Sequence, residues 1–271
     1  MDTYQIKLIM KISVVINTLN AERHLEKVLQ AVQNFDEIVI CDMGSTDNTI
    51  PLAEKYHCKI IYFENKGYHI AEPARTFAIQ SATNEWVLVV DADEIIPESL
   101  RLYLYEQIRQ PNCPAGTRIP RKNYFMGRFM HGFYPDRQLR FFKQEGTVWP
   151  SYVHTQPSIQ GIVTNIPAKR KDLAFIHLAN DTIFQSLQKM NQYTENERIK
   201  RKGKQYGTLS LLFRPFFHFF RNYILKAGFL DGKQGLIYAV WIGIYKFVVA
   251  SKLEEDRINE QDYDEELKYY L

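Results

Sequence analysis

The sequence predicts an α/β fold, a mostly parallel sheet flanked by helices, with a C-terminal amphipathic helical extension. Three observations predict it. The first hundred residues alternate β-branched apolar runs with segments of helical apolar spacing. Runs such as Trp86–Val90 (WVLVV) are unbroken Val/Leu stretches, the mark of strands buried on both faces. Aromatic residues then gather late, in two amphipathic stretches between Gly207 and Ala250.

Taken in order, Ile12–Asn17 is the first strand. Ala21–Val32 repeats Leu25, Val28, Leu29 and Val32, one face of a helix. Glu37–Cys41 (EIVIC) is the second strand, and Asp42–Asn48 is a polar loop. A helix over Thr49–Tyr56 precedes the strand Lys59–Phe63, and a helix over Ala74–Ala82 precedes WVLVV. From about Pro111 the alternation ends. Gln138–Phe142 and Thr147–Val153 read as short strands among Gly, Pro and aromatic residues, and Thr182–Lys202 as a charged helix.

With 271 residues, 45% of them hydrophobic and 24% charged, the chain can bury a large core, which excludes a disordered protein. Its three cysteines lack metal-ligand spacing and fit a reducing compartment. The net charge of +3 hides an asymmetry: residues 254–271 hold eight acidic groups, and residues 1–253 hold 32 Lys+Arg against 23 Asp+Glu. A basic body implies an anionic partner, whether a phosphate-bearing ligand, a membrane surface or nucleic acid. Met10–Ile16 is interrupted by Lys11 and reads as a strand rather than a leader. The longest apolar stretch, Gly235–Ala250, has 16 residues and carries Lys246, which suits touching a membrane better than crossing it.

Polar residues stand just past the strand ends, at the edge where open α/β sheets bind ligands: Thr18, Asn20, Asp42, Asp91 and Asp93. Asp91 and Asp93 cannot both enter the core at low cost. They either form an oxygen-ligand site for a hard divalent cation gripping a diphosphate, or cap a helix beginning near Pro97 and Glu98. The loop after Asp42 is a tight turn with Ser45 or Asp47 as N-cap. Asp42 itself is not needed for capping, and its carboxylate can accept a nucleobase N–H. Arg75 sits where the helix dipole disfavours a cation, so it either meets an external phosphate or pairs with Glu72.

Together the segments ISVVINTLNAERHL, IVICDMGSTDNT, EPARTFAIQSATNEWVLVVDADE and GFYPDRQLRFFK resemble the inverting, family 2 glycosyltransferases with a GT-A, Rossmann-like nucleotide-sugar fold, and most of all the lipopolysaccharide-core glucosyltransferase branch. The resemblance extends to about residue 255. It implies a UDP-sugar donor and a divalent cation, Mn2+ or Mg2+. By the same resemblance Thr18, Asn20 and Glu22 lie against the base and ribose, and Asp42 reads the uracil ring. Arg75 lies near the diphosphate, Asp91 faces the ribose, and Asp93 binds the metal. Met43 and Thr76 depart from the commoner residues at their positions. The three aspartates at 42, 91 and 93 are thus expected around one cation-held pyrophosphate.

An inverting transferase needs a base for the acceptor hydroxyl. Asp136, in a Tyr-Pro-Asp matching the resembling branch, is the candidate, with Arg137 and Arg140 expected to hold it ionised. The plainer reading is a turn aspartate paired with Arg137, and Glu94 is the rival base. His154, at the family's Val-His position, either joins the metal shell, contacts the diphosphate, or is a core histidine. The same choice applies to His177. No G-x-x-x-x-G-K-[ST], G-x-G-x-x-G or G-x-S-x-G motif is present, which weighs against ATPase, dinucleotide oxidoreductase and hydrolase readings.

Arg198–Lys204 concentrates five positive charges ahead of Leu211–Phe220, the profile of a segment lying in the headgroup plane of an anionic membrane. Nucleic acid is not expected, because no binding module accompanies the charge. The expected domains are a glycosyltransferase domain over 1–205 (donor half about 10–110, acceptor half about 111–205) and a membrane-associating extension over 206–271. The expected function is transfer of a hexose from a UDP-sugar to a hydroxyl of a cell-envelope glycan or lipid-linked acceptor, in lipopolysaccharide or other surface-polysaccharide biosynthesis. The expected location is the cytoplasmic face of the cell membrane. The rivals are a nucleotidyltransferase making a nucleotide-sugar, which would need a glycine-rich loop where NTLNAER stands, and a non-catalytic membrane-associated binding protein.

Overall fold

The alternation seen in the sequence becomes a layered α/β unit in a computed structural model that describes residues 10–67, 71–151, 155–178 and 182–259. The strands and helices are β1 (Ile12–Thr18), α1 (Glu22–Val32), β2 (Glu37–Asp42), α2 (Thr49–Lys55), β3 (Lys59–Tyr62), α3 (Glu72–Gln80), β4 (Trp86–Asp91), β5 (Glu94–Ile95), α4 (Glu98–Ile108), β6 (Gly116–Ile119), β7 (Arg121–Phe125), β8 (Arg128–Phe129), β9 (Gln138–Lys143), β10 (Val163–Asn165), β11 (Phe175–His177), α5 (Ile183–Lys200), α6 (Thr208–Phe220) and α7 (Gly232–Asn259). Two compact units share them: residues up to Lys122 with Tyr134–Leu178, and Asn123–Phe133 with the chain from Ala179 onward.

In the first unit a seven-stranded sheet runs in the order β10, β6, β9, β4, β1, β2, β3. β1 pairs parallel with both β2 and β4, while β9 runs antiparallel to β4 and β6. Strand order therefore reverses at β1, which opens a crevice at the C-terminal ends of β1, β2 and β4. Continuous apolar runs make β1 and β4 buried on both faces. One face packs on α1 and α4 through Ile16, Leu25, Leu29, Leu88, Leu100 and Leu104. The other packs on α3 through Val15, Val39, Ala78 and Val89. The stretch Thr147–Val153 is not a strand in its described part: Val148 forms an isolated bridge to Ser158, and residues 152–154 lie outside the described residues. Several short strands, β6, β10 and β11 among them, carry no period the sequence could advertise.

The second unit joins the β7–β8 turn, with Tyr124 opposite Phe129, to helices α5, α6 and α7. Its small core is Tyr206, Val249, Ala250 and Leu253. Asp231, buried, accepts the His131 backbone N–H at 3.0 Å and faces His131 Nδ1 at 2.6 Å. The helical stretch Gly228–Ile258 is long and apolar enough to cross a bilayer by length and composition, longer than the 16-residue run the sequence displays.

Phe141 of β9 is fully buried and stacks on Trp86 of β4 with centroids 5.1 Å apart. The contact fastens the antiparallel strand to the parallel half of the sheet. Phe141→Ala is expected to cost about 4 kcal/mol by leaving a cavity there, measured by chemical denaturation.

Candidate active site

Strand register decides which polar residues meet at the crevice. Asn17 lies opposite Asp91, and Thr18 opposite Asp42. Successive residues of a strand face opposite sides of a sheet, so Asn17 and Asp91 share the α3 side, whereas Thr18 and Asp42 share the α1 side. Of the three aspartates expected around one cation-held pyrophosphate, Asp42 and Asp91 therefore extend from opposite faces of the sheet.

On the α1 side, Asp42 is only 1% exposed. Its carboxylate accepts the Thr18 hydroxyl at 2.9 Å, the Gly44 and Ser45 N–H groups at 2.9 Å each, and the Ser45 hydroxyl at 2.6 Å. These four donors match the acceptor capacity of a carboxylate. Two of them are rotatable hydroxyls. The loops after β1 and β2 are laced together: Asn20 Oδ1 accepts the Thr46 N–H at 2.8 Å, and Glu22 Oε2 accepts the Asn48 N–H at 3.0 Å and its side-chain amide at 2.8 Å. Asn20 holds φ of 50°, a left-handed value that asparagine tolerates better than most residues. The N-cap position of α2 falls on Asn48, which makes no side-chain cap, rather than on Ser45 or Asp47; Asp47, one residue earlier, accepts the Thr49 N–H at 3.0 Å.

On the α3 side, Arg75 occupies the buried stripe of α3 with Ala74, Ala78 and Ile79, which carries its guanidinium to the sheet edge. There it meets neither Glu72 in a hydrogen bond nor solvent. It donates to Asp91 Oδ1 at 2.7 Å, while Arg140, from β9, donates to Asp91 Oδ2 at 2.5 Å. The indole of Trp149 covers both guanidiniums, 4.6 and 5.4 Å from its ring centre, and the Trp149 backbone N–H and carbonyl are tied to the Thr76 hydroxyl. Burial opposes ionisation of Asp91, but Arg140 and Arg75 outweigh it and hold the carboxyl well below the usual carboxylate range. Two guanidiniums share this one carboxylate, and Glu94, which accepts the Asp91 N–H, adds its own charge beside Arg75. Buried donors that have no hydrogen-bond partner among the described residues belong to this clamp and its neighbours: Nε and Nη1 of both arginines, the Trp149 indole N–H and the Asn17 Nδ2. Orphaned buried donors call for an explanation, and an anionic ligand at the strand ends is one that suits their sign.

Asp93 lies just beyond, in the turn into β5. Antiparallel pairing sets His177 of β11 beside Glu94, and brings His177 Nε2 to 3.6 Å from Asp93 Oδ1. Among the described residues no group of three or more His, Cys, Asp or Glu side chains is arranged to hold a metal ion. His154 lies outside them. One carboxylate with one imidazole nevertheless suits a cation of the Mg2+ or Mn2+ class, which keeps few protein ligands and completes its shell with phosphate oxygens.

Asp136 is partnered by neither Arg137 nor Arg140. Arg121 donates to its Oδ2 through Nε at 2.9 Å and Nη2 at 2.8 Å, and Gln138 donates to its Oδ1 at 2.9 Å. The third arm of Arg121 reaches Glu94 Oε1 at 3.1 Å. Glu94, fully buried, also accepts the Asp91 N–H at 3.0 Å through Oε2. One chain of contacts thus connects Asp136 to Asp91 through Arg121 and Glu94. Glu94 is enclosed within it, unsuited to meet an acceptor. Arg140 was taken from the Asp136 pairing because β9 alternation turns it to the Asp91 side. Asn17, Arg121 and Trp149 escaped the sequence reading. Only Asn17 carried a signal, a polar residue ending a buried strand.

Comparison with known proteins agrees with this architecture. The Glycosyl transferase family 2 model matches residues 13–159. The lipopolysaccharide core biosynthesis glycosyltransferase LpsC of Rhizobium meliloti (strain 1021) is 28% identical over 257 residues, covering 89% of this chain and 91% of that protein. GlyG, a glycosyltransferase of Streptococcus pneumoniae serotype 4, is 31% identical over 111 residues, 38% of this chain and 36% of its own. The crystal structure of S. aureus TarS 1–349 in complex with UDP-GlcNAc has a TM-score of 0.50 at 15% identity and covers 94% of this chain and 93% of that one, a likeness of fold.

Removing one arm of the Asp91 clamp tests its role. Arg140→Gln is expected to cost about 3 kcal/mol in denaturant titrations, since a buried charge loses a partner. Because folding depresses the Asp91 pKa, the clamp's contribution is complete above the unfolded value near pH 4 and fades as pH falls below it. The gap between wild type and variant should therefore be constant from about pH 6 to 8 and narrow below about pH 4.

Proposed function

Since the chain belongs to glycosyl transferase family 2, has the GT-A fold and is a glycosyltransferase, we propose that it moves a hexose from a UDP-sugar, with inversion, to a hydroxyl of a cell-envelope glycan or lipid-linked acceptor. Lipopolysaccharide-core assembly is the favoured setting, supported by the likeness to LpsC over nearly the whole chain. The work would take place at the cytoplasmic face of the cell membrane. The single observation that carries the chemistry is the linkage of Asp136, through Arg121 and Glu94, to the Asp91 clamp.

In this reading the uracil lies over Thr18 and Asp42, where exchanging a rotatable Thr18 or Ser45 hydroxyl for a base N–H costs little. Asn20 and Glu22 shape the loop that borders the base. Asp91, both of whose oxygens accept from arginines, borders the ribose, while Arg75 and Arg140 turn their remaining N–H groups to the diphosphate. Asp93 and His177 would hold a divalent cation, whose charge offsets that of the departing diphosphate. Asp136 accepts the proton of the acceptor hydroxyl as its oxygen attacks the anomeric carbon. The new C–O bond forms on the face opposite the breaking bond to the β-phosphate oxygen. Arg121 and Gln138 fix the carboxylate's direction, so the base is aimed before the acceptor arrives.

A nucleotidyltransferase would release pyrophosphate, whereas this enzyme is expected to release UDP. Asp136→Asn should lower kcat by about 10²- to 10⁴-fold with the donor KM little changed, as befits loss of a base. Asp93→Ala should remove Mn2+- or Mg2+-dependent UDP-sugar hydrolysis. Product anomers resolved by NMR report the stereochemistry. If the wild type neither binds UDP nor hydrolyses any UDP-sugar, the donor assignment is wrong.

A further inference from the structure

Helix α6 is built inside out. Leu209, Leu212, Phe213, Phe216, Phe217 and Phe220 recur at helical spacing and are all exposed, Phe216 at 65%. Its most buried position is polar, His218, as is Asn222 in the following turn, while Leu211 packs half-buried on the small core. A surface helix in water shows the reverse, with its apolar stripe packed and its polar stripe wet. The same inversion recurs along α7. Leu236, Val240, Ile244 and Phe247 are exposed, whereas Gly235, Ala239 and Gly243 face inward. A Cβ at Gly243 would stand 2.9 Å from the Pro215 carbonyl of α6, so at this point the backbones of the two helices approach closely. Close small-residue packing with apolar groups turned outward is the arrangement of helices whose surroundings are lipid.

Charge says which lipid surface fits. Of the five cations the sequence gathers at 198–204, Arg198 is bound to Glu195 and Asp256, and Arg201 to Glu197. A second group emerges from the fold instead. Burial, Arg221, Arg214 and Lys246 together depress the His218 pKa to about 4, which records a concentration of positive charge behind the exposed stripe. The acid that acts on Lys246 is Glu197, already paired with Arg201. Among the described residues no ion pair joins Arg214, Arg221 or Lys246 to an acid. Lys246 at the middle of α7, and the packing of α7 on Tyr206 through Val249 and Leu253, suit a helix lying on a bilayer rather than crossing it.

We propose that the exposed face of α6, continued by the outward residues of α7, docks in the interfacial layer of an anionic lipid membrane, with its phenylalanines among the acyl chains and Arg221 and Lys246 toward headgroup phosphates. This names the partner surface of the enzyme proposed above. It rests on that reading only for its purpose, because vesicle binding and donor turnover are read separately.

The test mixes the full chain with vesicles of phosphatidylcholine, alone or containing phosphatidylglycerol, and separates them by flotation. The wild type should float with the anionic vesicles. Exchanging Phe216 and Phe217 together for Ser should lower the bound-to-free ratio about a hundredfold, from the apolar area no longer withdrawn from water. Arg221→Gln should lower it about fivefold on phosphatidylglycerol vesicles only. Leu102→Ser, which removes an exposed apolar group from α4 in the other unit, should change nothing. Circular dichroism and UDP-sugar hydrolysis report whether each variant is folded. Equal flotation of the phenylalanine variant and the wild type overturns the proposal, as does a wild type that stays unbound to both vesicles. So does a face whose mutation abolishes concentration-dependent self-association while leaving lipid binding intact, since the occupant would then be a second copy of the chain. Vesicle binding without donor turnover would instead count against the UDP-sugar assignment.

Discussion

The ionic contact of Asp91 with two buried arginines is the constraint on which the catalytic unit depends. Neither guanidinium can be withdrawn without leaving a charge in a site sealed by Trp149, so α3, β4, β9 and the segment at Trp149 must hold one geometry together. Such pairs seldom add net stability compared with an apolar core. What this one does is fix the positions of orphaned donors at the crevice, where a polar ligand can take them up.

From that anchor the roles of the acids separate by surroundings rather than by residue type. Asp91 is committed to arginines, Asp42 to its own loop and Glu94 to the interior, whereas Asp93 faces an imidazole and Asp136 is aimed by Arg121 and Gln138. Five carboxylates within one edge of one sheet would repel one another if equally placed. Interposed guanidiniums keep them apart electrostatically, and each is thereby left with a distinct task. The alternation of β1, which sends Asn17 and Thr18 to opposite faces, is the geometric counterpart of this division.

The second unit obeys a different solvent rule. Its helices meet through glycine and alanine and turn phenylalanine and leucine outward, while histidine and asparagine lie within. In water this pattern would leave a large apolar surface uncovered. At a membrane it puts each group in a medium that suits it.

Much of the first unit could be read directly from the chain. Unbroken runs at Ile12–Asn17 and Trp86–Val90, and the Leu25-Val28-Leu29-Val32 stripe, fix strands and a helix because burial demands those periods locally. The segments around Asp42, Asp91 and Asp93 likewise carried the family, which the match over residues 13–159 established. Partners were another matter. That Arg140 serves Asp91, that Arg121 serves Asp136, that His177 stands beside Asp93 and that the Phe216 face looks outward follow from strand register and helix packing across 15 to 84 residues of sequence separation. A one-dimensional pattern records what each residue prefers to be surrounded by. Which charge neutralises which is decided by long-range closure of the sheet, and so only the tertiary structure could tell it.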